Sequence, residues 1–108
     1  MTHSLINNTN ALKASHYLLE LDMDAIDERY RQDANAWILN LKAALQVYKT
    51  HAQKTFHALL LSQDDSNRMN LSLERLSNYA NSMVYILTPD AKEALVQYLL
   101  LSTQAIAA

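Results

Sequence analysis

Asp22, Asp24 and Asp27 lie close together and are the first residues whose chemistry invites a role. Carboxylates at the first and third positions of a loop suit calcium. That loop also needs Asp or Asn at the fifth position, glycine at the sixth and Glu at the twelfth. Here the fifth and sixth positions are Ile26 and Asp27, and the chain has no glycine. An acidic helix start on the surface is the better reading, because carboxylates are favoured in a first turn.

His16 and Glu20 are four apart, the spacing of two metal ligands on one helical face. Di-iron bundles use paired Glu-x-x-His motifs, and none occurs here, so a local His–Glu hydrogen bond is preferred. His51 and His57 are six apart and fall on different faces of a helix, and HExxH is absent. No serine sits in G-x-S-x-G, which lowers the prospect of a hydrolase without excluding a triad assembled from distant residues. The expectation is no catalytic residue, no metal and no cofactor. Trp37 and the six tyrosines could stack on bases. Trp37, Tyr30 and Tyr48 fall on an apolar stripe, however, where burial is the stronger reading.

Charge is the one non-generic feature. Residues 20–33 carry a balance of −4, whereas residues 42–57 carry Lys42, Lys49 and Lys54 with no acid. Such a helix has an acidic start and a basic end, which suits its own macrodipole. A sharper reading sets two copies antiparallel, with Asp24, Asp27 and Glu28 near Lys49 and Lys54 of the other, as a self-association site.

The elements that must position these groups follow from composition. A chain of 108 residues suits one domain. Half the residues are hydrophobic and 19% are charged, a globular composition. Zero glycine removes phosphate-cradling loops and most tight hairpins. Leucine and alanine dominate, and both are strong helix formers. Zero cysteine excludes disulfides, thiol nucleophiles and zinc fingers. A net charge of −2 argues against nucleic acid. Apolar runs are too short for a transmembrane segment, and residues 1–10 lack the basic and apolar parts of a signal peptide. A cytoplasmic location is expected.

Periodicity predicts an all-α fold, a small bundle of three to four helices with one long central helix, more than 70% helical. Residues 1–8 read as an N-terminal tail, within which Leu5 and Ile6 could pack on the bundle. Helices are expected over about 10–21, 25–62, 67–87 and 89–106, all in one domain, 1–108. A break near Asp22–Asp24 is favoured over one helix through 10–62. From Ile26, the residues Tyr30, Ala34, Trp37, Leu41, Leu45, Tyr48, Ala52, Phe56 and Leu59 follow at steps of 3 or 4. Residues 63–67 read as a loop, with Asp65 or Ser66 as cap, and Thr88-Pro89 as the start of the last helix, apolar nearly all round. The expected core is Trp37, Leu41, Leu45, Tyr48, Phe56, Leu73, Leu76, Leu87, Leu95 and Leu99.

The leading functional expectation is a non-enzymatic helical protein–protein interaction module: an adaptor, inhibitor, immunity or chaperone-like protein. The ground is wide apolar stripes suited to helix-on-helix binding. The alternatives are an amphipathic coat on a lipid or polyester granule and a ligand-binding helical bundle. A homodimer is expected because the stripe, about 50 Å long, exceeds the later helices, near 30 Å each.

Overall fold

The computed structural model describes residues 5–56 and 63–107. It is an all-α bundle, 81% helical, above the 70% expected. The helices are α1 (Ala11–Leu19), α2 (Ala34–Phe56), α3 (Gln63–Tyr85) and α4 (Pro89–Ala107). Two 3₁₀ turns, Met23–Ala25 and Glu28–Tyr30, lie between α1 and α2. Among the described residues no backbone enters the positive-φ region, in keeping with the missing glycine.

The long central helix begins at Ala34, not near residue 25. Aspartate side chains divert the chain before it. Asp22 accepts from the Asp24 N–H at 3.1 Å and Asp27 from the Arg29 N–H at 3.0 Å. Each closes a short turn that competes with a continuing helix. Asp22, Ile26 and Asp27 are extended at ψ 177°, 133° and 133°. Extended backbone lets this segment pair with the α3–α4 connection: Asp27 N–H donates to the Ile86 carbonyl at 2.8 Å, and Thr88 N–H to that of Ala25 at 2.9 Å. Ile26 is thereby buried, as the stripe required, but off the helix.

α2 packs along α3, and α1 lies across both. The core joins Leu18, Leu41, Leu45, Leu76, Met83, Leu87, Leu95 and Leu99. Trp37, Tyr48 and Leu73, expected among the core residues, are only half-buried, because they flank the contact line. The side chain of Phe56, and residues His57 and Leu59, lie outside the described residues. The loop expected at 63–67 is instead the first turn of α3, with Ser66 inside the helix.

Within the N-terminal segment Leu5 and Ile6 pack on the bundle, as their apolar side chains allow. Ile6 is fully buried. Its N–H donates to Asn81 Oδ1 at 3.0 Å, and its carbonyl accepts from Asn81 Nδ2 at 2.8 Å and from Ser77 Oγ at 3.0 Å. A side-chain amide thus stands in for a strand neighbour and satisfies a buried peptide. Asn10 precedes α1, but its side chain makes no cap bond; Oδ1 accepts from the Asn7 N–H at 2.8 Å.

Thr88 does cap α4, its hydroxyl accepting from the Ala91 N–H at 3.2 Å, with Pro89 at the first helical position. Thr88→Ala is expected to cost about 1 kcal/mol, read by urea denaturation; no change would remove the cap from the account. α4 packs on fewer sides than its composition suggested. Leu95 and Leu99 point inward, while Leu100 and Leu101 stay 51% and 62% exposed. Tyr98 stacks on Tyr17 of α1, with ring centroids 4.6 Å apart.

Candidate functional site

The outer seam of α2 and α3 gathers the surface residues with the most to offer a partner. α2 and α3 run antiparallel, so Trp37 meets Ser82 and Tyr85 at one end, while Val47 and His51 meet Arg68, Leu71 and Arg75 at the other. On α2, residues Trp37, Ala44, Val47, His51 and Lys54 follow at steps of 7, 3, 4 and 3. On α3, Asp64, Arg68, Leu71, Arg75, Ser82 and Tyr85 follow at 4, 3, 4, 7 and 3. Each set therefore shares one helical face, and together they form one seam.

The first end is aromatic. Tyr85 is 72% exposed, unusual for so large a ring. Tyr30 lies against it with centroids 6.4 Å apart. Arg29 sits 5.4 Å over Tyr30, and Lys92 5.9 Å over Tyr85, both within cation–π range. Arg29 also pairs with Asp27 at 3.1 Å, and that hydrogen bond holds the Asp27 carboxyl below its ordinary pKa. The second end is basic with an apolar floor: Val47 and Leu71 are 41% and 62% exposed between Arg68, Arg75 and His51. Its groove holds about 160 Å³. That is below the range of about 300–1,000 Å³ usual for small-molecule pockets.

The residues singled out from sequence are distributed unevenly. Asp24 and Glu28 are exposed on the two 3₁₀ turns, and Asp27 is engaged with Arg29. None of the three is on α2, so no single helix carries both poles. Lys54 shares the seam face, three residues past His51. Lys49 follows Val47 by two positions and points elsewhere. Over the described residues α2 and α3 have 23 residues each, so the described part of the α2 stripe is no longer than α3. Asp22 and Asp27 serve as turn caps, and no metal-binding cluster occurs among the described residues. His16 is exposed and lines a separate depression with Thr9, Leu12, Lys13 and Tyr98, while Glu20 ends α1. No helix among the described residues is long and apolar enough to cross a membrane.

Leu71 and Tyr85 escape a reading by spacing because each lies two positions from a residue of the apolar stripe of α3, Leu73 and Met83. A large apolar side chain 200° off its helix's stripe was the available signal. No known protein family, curated protein or solved structure matches the chain.

Proposed function

We propose that the chain is a non-enzymatic protein–protein interaction module, of adaptor, inhibitor, immunity or chaperone-like kind, that binds through the α2–α3 seam. The observation that carries this reading is the exposure of Tyr85 and Leu71 on one seam with Trp37, Arg68 and Arg75. Aromatic side chains and arginine are enriched at protein interfaces and dominate their energetics.

The test is a binding measurement with Leu71→Glu and Tyr85→Ala, using whatever protein the immobilised wild type retains from its native host. Each variant should weaken that complex by about tenfold or more, as for other central anchors. Lys13→Ala, off the seam, should leave it unchanged. Equal retention by all four proteins would place the contact elsewhere.

A second reading, a coat on a lipid or polyester granule, draws on the adjacent exposed Leu100 and Leu101. A polar face rich in lysine and arginine, which anionic membranes favour, is missing from α4, where Lys92 is the one such residue. Flotation with anionic vesicles separates the readings: co-flotation lost in Leu100→Glu with Leu101→Glu would favour the coat.

A further inference from the structure

The two ends of the seam differ in the charges that border them. Its aromatic end is bordered by acids: Asp24 and Glu28 on the 3₁₀ turns and Asp33 just before α2, all exposed. Arg29, Arg31 and Lys92 are also at this end. Arg29 and Lys92 are drawn over tyrosine rings, Arg29 is paired with Asp27, and Arg31 donates its Nε to the Ile26 carbonyl at 3.1 Å. Among the described residues none of these cations forms an ion pair with Asp24, Glu28 or Asp33. The other end carries Arg68 and Arg75 on α3 and Lys54 on α2, with Asp64 as the single acid of the shared α3 face. Within one copy these poles cannot meet. Ala34 and Lys54 are twenty residues apart on one helix, about 30 Å. Val47 and Leu71 at the basic end and Tyr85 at the aromatic end are large, and all three are exposed.

Building on the reading of the seam as a docking surface, we propose that its partner is a second copy of this chain, set antiparallel across a two-fold axis through the middle of the seam. The axis places the acidic end of each copy on the basic end of the other, so both contacts form at once. It also turns Leu71 and Val47 of one copy toward the Trp37–Tyr85 end of its partner. A foreign acidic helix would fit the basic end alone and meet Asp24, Glu28 and Asp33 at the other. A head-to-tail contact would leave one pole open on every terminal copy and grow without closing. This dimer differs from one built on the apolar stripe of α2, which is occupied by α3 within the chain.

Two charge-reversed proteins test it: Arg68→Glu with Arg75→Glu, and Asp24→Lys with Glu28→Lys. All four positions are exposed. Circular dichroism and thermal melting should match wild type. In sedimentation equilibrium at low salt, wild type should run at twice the 12.3 kDa chain mass. High salt should weaken the dimer, because screening shortens the reach of these charges to a few ångströms. Each variant alone should dimerise about tenfold or more weakly, since every reversal acts twice across the axis. Mixed in equal amounts, the two variants should pair with each other, because acid then meets base at both ends. A monomeric wild type at low salt would overturn the dimer and leave the seam open to other proteins, which the Leu71 and Tyr85 variants test separately. A dimer indifferent to salt and to both reversals would place self-association elsewhere. Open-ended oligomers stopped by either reversal would replace the two-fold with a head-to-tail contact.

Discussion

Replacing Leu41 with alanine is expected to lower the free energy of unfolding by about 2–5 kcal/mol. Leu41 is fully buried in the first half of α2, in the core formed with Leu76, Met83 and Leu87. Truncation removes three heavy atoms from a packed interior, and neighbours held on separate helices cannot all move in to fill the gap. The loss has two parts, the transfer energy of the removed atoms and the cavity they leave. Domains of this kind are stable by about 5–15 kcal/mol in total, so the fraction lost is large. Leu39, on the same helix two residues away, is 64% exposed. Leu39→Ala should stay within about 0.5 kcal/mol of wild type. Urea denaturation of both variants checks the pair. Equal effects would mean that the rotational setting of α2 is wrong.

Asn81→Leu is expected to cost about 2–4 kcal/mol, because two hydrogen bonds to the Ile6 peptide disappear together. Ser77 still serves the Ile6 carbonyl, but the Ile6 N–H loses its acceptor while Ile6 remains a buried side chain. The chain then either keeps an unsatisfied donor inside or releases the segment before α1 and exposes Ile6. Hydrogen exchange separates the outcomes, since release would raise exchange across residues 5–10 while α2 and α3 stay protected. Asn81→Asp retains an acceptor for the N–H but turns a carboxylate oxygen toward a carbonyl, and should fall between wild type and Asn81→Leu. A wild-type melting curve for Asn81→Leu would show that the clamp adds nothing to stability.

Much of the architecture was legible in local signals. The stripe through Leu41 and Leu45 was read from spacing, since a helix turns a fixed 100° per residue and its buried face repeats accordingly. Thr88-Pro89 was read because a hydroxyl acceptor and a missing N–H both suit a helix start. The segment 22–33 was harder. Ile26 and Tyr30 continue the helical spacing, yet the backbone there is turned and extended. Spacing reports which residues face inward, and a turn packed on the same neighbours satisfies it equally. The acidic and basic groups were legible as charges, but their use was not. Asp27 carries a turn and a salt bridge that its position in the sequence does not announce.

Composition and periodicity make the chain all-α, glycine-free in its turns, and built around leucine and alanine stripes, because those properties follow from each residue's conformational freedom and transfer energy. The packing of the helices settled three further things. It set Asn81 against the peptide of Ile6, 75 positions away. It joined the 3₁₀ segment to the α3–α4 connection through Asp27 and Thr88. It also left Leu71 and Tyr85 outside, on one seam with Trp37 and the arginines. A stripe states which side of a helix is buried. Which two helices meet, in which register, and which off-stripe side chains their meeting aligns depend on how the volumes of both faces interlock, and that is a property of the pair.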